Sequence, residues 1–269
     1  MFFSERGNPC GSQLLGDRMI RRIYKRERGA EYWFPRDELV GFFKTLPVAH
    51  RHENLTVDCP KGIAIMTHDD FADEETQRME RAWGINSTYF LLSDKIRADT
   101  LPRSDDLQLH FDKGKGELKR QMAVFEARVG TRPAFNRNHR FWWRADHLDL
   151  AYLSLHGFRA DSSRPGFKPY RLCVEGRLLP IWEIPYAILD DSVERSVHAG
   201  YSLASEPEHL FTNDVSPVVA VYHPVSLSRK LGLPMRLEEF HDLGKRYGYS
   251  FLTVREFYDR YLARVEMED

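Results

Sequence analysis

The sequence predicts an α/β protein built as an incomplete (β/α) barrel of seven or eight strands. Three observations predict it. From Gly62 onward, short β-rich runs alternate with helical stretches, the pattern of βα units feeding a mostly parallel sheet. The helical stretches close on glycine, the residue that best tolerates a left-handed cap. Histidines and aspartates gather at the carboxyl ends of the apolar runs, the rim where such barrels build active sites.

Residues 1–60 are arginine-rich and irregular, with expected helices at "DRMIRRIYKRERG" and "PRDELVGFFKTL", where Pro35 and Asp37 suit a helix start. They are expected to form a partly helical N-terminal extension packed on a catalytic domain over 61–269. Expected strands follow at "GIAIMTH", "NSTYFLL", "LQLHF", "PAFNRNH", "GFRADSS", "LLPIWEIPYAI", "VVAVYHP" and "SFLTV". Between them lie four expected helices, "ADEETQRMERAWG", "GELKRQMAVFEARVG", "ADHLDLAYLSLHG" and "RLEEFHDLGKRYG", ending at Gly84, Gly130, Gly157 and Gly248.

Composition narrows the function classes. The 269 residues carry a formal net charge of -1, so no global field favours nucleic acid or an anionic membrane, and neither is expected as a partner. The first residues show no apolar h-region, and no run of about 18 apolar residues occurs anywhere. A soluble, cytoplasmic protein is expected, in which the sequons at Asn54 and Asn86 carry no meaning. Cys10, Cys59 and Cys173 are odd in number, with no CxxC spacing, which argues against a disulfide framework or a cysteine zinc site. There is no GxSxG elbow, HExxH helix or kinase signature.

The chemistry is therefore sought at the rim. "GIAIMTHDD" drives an apolar run into two adjacent aspartates, Asp69 and Asp70. Ionised carboxylates avoid burial unless something positive or hydrogen-bonding meets them, which a bound cation or a helix cap can do. Side chains that diverge at a strand end can give one carboxylate to a metal and the other to substrate. His110 ends "LQLHF" and His139 ends "FNRNH", each either a metal ligand or a hydrogen-bonded core histidine. Arg137, two residues before His139, faces the same way and can keep a carboxylate ionised. His223, held at the rim by Pro224, suits a general acid or a bond to the backbone. Trp142 and Trp143 offer a platform for a sugar face or pack in the core. Tyr222 and Asp161, also near the rim, are expected substrate contacts. Gly114 and Gly116 give only a weak anion-cradle signal, and His50 and His52 fall before the first barrel strand.

These residues resemble the polysaccharide deacetylase superfamily, the NodB-homology fold of carbohydrate esterase family four. "MTHDDF" resembles its first motif, usually TFDD, and "NSTYFLL" the strand that follows. "LQLHFD" stands where the histidine motif would be, "RPAFNRNHRFWW" where the arginine motif would be, and "AVYHP" where the late Leu-x-His motif would be. The resemblance spans about residues 60 to 255 and implies a barrel of the glycoside hydrolase–deacetylase type. It implies hydrolysis of an N- or O-acetyl group on a sugar or glycan-pathway intermediate. It also implies Asp69 as general base, Arg137 as its partner, His223 as general acid, and Asp70 and His110 as ligands of a divalent metal. Zinc is expected, with cobalt, nickel or manganese as alternatives. The family's second motif histidine is missing from "HFDKGKG", so His139 is the first substitute ligand and Asp112 the second. His68 replaces the usual aromatic, and its side chain should alternate away from that of Asp69. The competing expectation is a catalytically silent, carbohydrate-binding member of the same fold. Oligomeric state is not legible.

Overall fold

The computed structural model describes residues 36–265 apart from 48–52, 98, 100, 103, 142–145, 175, 191–206 and 233–236. The helix expected at "DRMIRRIYKRERG", together with Trp142, Trp143, His50 and His52, lies outside the described residues.

The first helix, α1 (Arg36–Thr45), packs Leu39 and Phe43 against the same apolar cluster as a later helix, Asp146–Leu155. A two-residue strand, β1 (Leu55–Thr56), hydrogen-bonds into the main sheet although it comes from the stretch expected to form the extension. The barrel then unfolds in βα order. It runs β2 (Ile63–His68), α2 (Glu74–Trp83), β3 (Thr88–Leu91), β4 (Leu107–Phe111), α3 (Leu118–Val129), β5 (Phe135–Asn138), α4 (Asp146–Leu155) and β6 (Ala160–Asp161). Short strands follow: β7 (Tyr170–Arg171), β8 (Cys173–Val174), β9 (Arg177–Leu178), β10 (Trp182–Glu183) and β11 (Ile188–Leu189). The chain ends in α5 (Glu208–Thr212), β12 (Val218–Tyr222), α6 (Val225–Leu231), α7 (Leu237–Arg246), β13 (Ser250–Phe251) and α8 (Val254–Phe257). Gly84, Gly130, Gly157 and Gly248 all take positive φ, as their positions after helical stretches require.

The sheet order is β1-β7-β10-β6-β5-β4-β3-β2-β12-β11, with β13 beside the start of β2. Every pairing from β10 through β6 to β11 is parallel; β7 pairs antiparallel with both β1 and β10. This is a curled, incomplete α/β barrel. Parallel strands covered on both faces read as continuous apolar runs, which is why β2 and β12 are buried at every position.

The run "LLPIWEIPYAI" was expected as one strand and is instead three, β9, β10 and β11. Pro180 and Pro185 supply no N–H to a ladder, so the run breaks at both. The break has a use. Residues 184–188 bridge the gap between β6 and β12: Tyr186 exchanges backbone hydrogen bonds with Arg164 and Gly166 on one side, and Ala187 donates to Val219 on the other.

Alternation divides the side chains into two sets. Ile63, Ile65, Phe90, Phe135, Val219 and Val221 fill the barrel interior. Ala64, Met66, Val218, Ala220 and Tyr222 point outward against Leu237, Phe240 and Leu243 of α7. The interior parity carries on to the rim as Thr67, Asp69, His110, Arg137 and His223. Among the described residues no helix is long and apolar enough to cross a membrane.

Candidate metal centre

At the end of β2 the alternation fails at one residue. Asp70 has φ 73°, a left-handed backbone that a residue with a short polar side chain tolerates better than most. Its carboxylate therefore turns back toward the rim instead of diverging from that of Asp69, as the sequence had led us to expect. Both now reach one imidazole: His110 Nε2 lies 3.6 Å from Asp70 Oδ1 and 3.8 Å from Asp69 Oδ2. His68, one residue earlier, obeys alternation and points outward, where its Nε2 meets Glu80 Oε1 of α2 at 2.9 Å and its ring stacks on Tyr89.

His110 Nδ1 lies 3.0 Å from the Arg137 carbonyl oxygen. A carbonyl only accepts, so Nδ1 carries the proton and Nε2 presents its lone pair to the rim. Burial lowers the His110 pKa in spite of Asp69 and Asp70, so the ring is neutral at neutral pH. His139 Nε2 lies 3.7 Å from the same Asp70 Oδ1, and its Nδ1 stands 3.0 Å from Asp112 Oδ2. Asp112 thus sits behind His139 rather than beside Asp70. Asp112 Oδ1 also accepts the Gly114 backbone N–H at 2.8 Å, so that amide is not offered to an anion.

One oxygen, one nitrogen and a second nitrogen of Asp70, His110 and His139 lie within 4.8 Å of one another. Asp70 Oδ1 is buried and has no hydrogen-bond partner among the described residues. A carboxylate oxygen facing an imidazole lone pair leaves two acceptors with no donor between them. A cation resolves that conflict. With ligand bonds of about 2.0–2.1 Å, a tetrahedral site has ligand–ligand edges of about 3.4 Å, close to the 3.6 and 3.7 Å found at Asp70. The residues present fit a divalent ion.

Asp69 is held differently. Arg137 Nη1 donates to Asp69 Oδ1 at 2.8 Å and to Thr67 Oγ1 at 2.6 Å. Its Nε and Nη2 donate to the Ser162 carbonyl and hydroxyl at 2.6 and 2.8 Å, and its guanidinium lies over the Phe90 ring. Burial would raise the Asp69 carboxyl, but Arg137, with His110 and His223, outweighs it and keeps the pKa below the ordinary value. On the far side of the rim Asp190 accepts both the backbone N–H of His223, at 2.7 Å, and its ring Nδ1, at 2.8 Å. Burial opposes the imidazolium, yet the Asp190 bond and charge, with Asp69 and Asp70, raise the His223 pKa to about 9.

Two expected substrate contacts do not face the cavity. Tyr222 is outward by strand parity and packs on Phe240 in the helix-side core, 1% exposed. Asp161 is fully buried and bonded to Asn136 and Ser163. Sequence reading assigned no role to Glu80, Glu183 or Asp190. Asp190 had a signal, an aspartate closing an apolar run, whereas Glu183 inside "PIWEIP" had only its charge in an apolar context. Beside Asp70 a cleft of about 720 Å³ opens, lined by Phe71, Gln77, Arg81, Lys95 and Arg97 among others.

No protein-family model matches the sequence, and no curated protein matches it. Solved structures do. A candidate polysaccharide deacetylase from Mycobacterium smegmatis superposes with a TM-score of 0.52 at 13% identity, over 81% of this chain and 96% of that one. The chain has the polysaccharide-deacetylase fold. A polysaccharide deacetylase from Bacillus cereus is similar over 72% of this chain and 92% of its own, with a TM-score of 0.45 at 14% identity. A pseudoenzyme of carbohydrate esterase family four from Bacillus anthracis is similar over 75% and 66%, with a TM-score of 0.46 at 11% identity. In this polysaccharide-deacetylase fold, the cluster of Asp70, His110 and His139 sits at the carboxyl ends of β2, β4 and β5, of which β4 and β5 are paired neighbours and β2 lies one strand further along the sheet, beyond β3.

Proposed function

We propose that the protein is a metal-dependent hydrolase that removes an N- or O-linked acetyl group from a sugar or glycan-pathway intermediate. The observation that carries this reading is the convergence of one ligand atom each from Asp70, His110 and His139, with Asp70 Oδ1 buried without a hydrogen-bond partner among the described residues and His110 Nε2 presenting a lone pair. Those three residues would hold the divalent ion, zinc in the first instance, with cobalt, nickel or manganese as alternatives. Bound there, such an ion supplies Lewis acidity toward an acyl oxygen and lowers the pKa of water.

The rest falls to the chain. Asp69, kept ionised by Arg137, takes the proton of the attacking water as its oxygen bonds to the acyl carbon. His223, kept protonated by Asp190, gives its proton to the departing nitrogen or oxygen as the bond to the acyl carbon breaks, leaving acetate and a free amine or hydroxyl.

Metal content and acetate release from N-acetylglucosamine oligosaccharides, measured on the same preparations, test the proposal. Asp69→Asn should keep metal and lose turnover, whereas Asp70→Ala and His110→Ala should lose both. A metal-replete, active Asp70→Ala protein would overturn the assignment. One observation favours the silent reading: Lys95 Nζ lies 3.6 Å from Asp70 Oδ2, an ammonium placed to satisfy part of that charge without an ion. The silent reading predicts purified protein free of divalent metal and no gain in thermal stability on adding zinc.

A further inference from the structure

On the outer face of the sheet, behind Arg137, two carboxylates meet that the proposed reaction does not use. Asp161 and Glu183 are in-register neighbours on the parallel strands β6 and β10, and both are 0% exposed. One oxygen of each has ordinary donors. Asp161 Oδ1 accepts from Asn136 Nδ2 at 2.8 Å and from the Ser163 hydroxyl at 2.9 Å. Glu183 Oε1 accepts the backbone N–H groups of Ser163 and Arg164 at 3.0 and 2.9 Å. The remaining oxygens, Asp161 Oδ2 and Glu183 Oε2, are buried and find no hydrogen-bond partner among the described residues, although the two side chains are in-register neighbours on one face of the sheet. Ionised carboxylates only accept, so a single proton is what would join two such oxygens.

We propose that Asp161 and Glu183 share a single proton at neutral pH and act as positioning residues for the Arg137 guanidinium, and through it for Asp69. The contacts flank Arg137 and its anchor symmetrically. Asp161 holds Asn136, and the Ser163 hydroxyl accepts the backbone N–H of Asn138 at 2.8 Å, so the residues on both sides of Arg137 are tied to the pair. Ser162, which receives two of the Arg137 bonds, lies between Asp161, one member of the pair, and Ser163, whose hydroxyl and backbone N–H donate to Asp161 and Glu183. With both carboxyls ionised, two buried like charges would push β6 and β10 apart at this point. With one proton, the clamp is closed.

Burial raises both carboxyls, Asp161 to about 6 and Glu183 well above its ordinary value, the latter further raised by the charge of Asp161. Other ionisable groups facing the pair are Arg164, which favours the charged form of Glu183, Asp149, which disfavours that of Asp161, and the Tyr170 hydroxyl. The shared proton is thus kept at neutral pH and lost as pH rises, and the clamp opens on the alkaline side.

The catalytic meaning of this rests on the proposed role of Asp69, but its test does not. Infrared spectra of the full-length protein should show a protonated buried carboxyl at pH 8 that disappears in either Glu183→Gln or Asp161→Asn. In ¹⁵N-labelled protein the Arg137 Nε–H signal, assigned by its loss in Arg137→Lys, should exchange with solvent at least tenfold faster in Glu183→Leu. Glu183→Gln keeps a donor to Asp161 and an acceptor for Ser163 and Arg164, so it should restore slow exchange and hold it to higher pH than the parent protein. A spectrum with no protonated carboxyl at pH 8, or an Arg137 signal that follows the same pH course in Glu183→Gln as in the parent, overturns the proposal. A protein that releases no acetate at all would give the same spectra if the pair is as described, so failure of the hydrolase reading is separately visible.

Discussion

Replacing Asp70 by asparagine should leave the metal-free protein at least as stable as the parent and abolish its response to zinc. The structure sets the sizes. Asparagine tolerates the left-handed backbone at φ 73°, and its amide would put a donor where Oδ1 now faces His110 Nε2 at 3.6 Å. A small closing movement makes that a hydrogen bond worth about 1 kcal/mol. The Lys95 contact to the other oxygen is lost, but Lys95 is 40% exposed, and such pairs contribute about 0–1 kcal/mol. The metal-free variant should therefore melt no lower than the parent. Zinc acts oppositely. At a hundredfold excess over its dissociation constant, a ligand stabilises by about 2.7 kcal/mol, and at roughly 2–4 °C per kcal/mol the parent should gain roughly 5–11 °C in Tm. The variant should gain nothing. Thermal melts of chelated and zinc-loaded protein measure both changes, and an Asp70→Asn protein that keeps the full zinc shift refutes the reasoning.

Other outcomes follow from single contacts. His223 titrates above its unfolded value of about 6.5, so its stabilising contribution is complete below that pH and is lost as pH rises through about 9; Asp190→Asn should bring its NMR titration down toward 6.5, and an unmoved midpoint would discard Asp190 as the cause. Arg137→Met leaves the Asp69 carboxylate buried without its cation and should cost about 3–5 kcal/mol in urea unfolding at pH 7. Because Asp69 then titrates higher, the deficit should shrink as pH falls; a loss below about 1 kcal/mol at pH 7 counts against the pair. Two glycine-to-alanine changes should differ in sign. At Gly244 in α7 an added Cβ would sit 2.5 Å from Phe251 Cζ and should cost about 1–3 kcal/mol, whereas at Gly41 in α1 nothing lies within 4 Å and helix propensity should add about 1 kcal/mol. Denaturation midpoints moving the same way would defeat that comparison.

The strands of the barrel were legible because parallel strands buried on both faces leave apolar runs that end abruptly in polar residues, as β2 does at His68 and β12 at His223. His139 stood out as a candidate substitute ligand because "HFDKGKG" lacks the second motif histidine and His139 stands at the same rim. What periodicity missed has local causes. Pro180 and Pro185 lie within a run whose hydrophobicity reads as a single strand, and only the loss of their N–H groups separates β9, β10 and β11. Tyr222 was misassigned because rim position was read without strand parity. Asp70 went the other way: parity alone sends it outward, and a single positive φ that no pattern encodes returns it to the cavity. Glu183 was invisible because its partner Asp161 is 22 positions away in sequence and only the in-register pairing of two short strands brings them together.

The bridging stretch between β10 and β11 is a mechanical link. Glu183, behind Arg137, and Asp190, which is bonded to His223, are seven residues apart in sequence. That is at most about 25 Å of extended chain. The stretch thus ties the surroundings of Arg137 to those of His223 through a fixed length of chain. Lengthening other surface loops would leave that tie alone, whereas two residues inserted among 184–189 would slacken it without replacing any side chain at the rim.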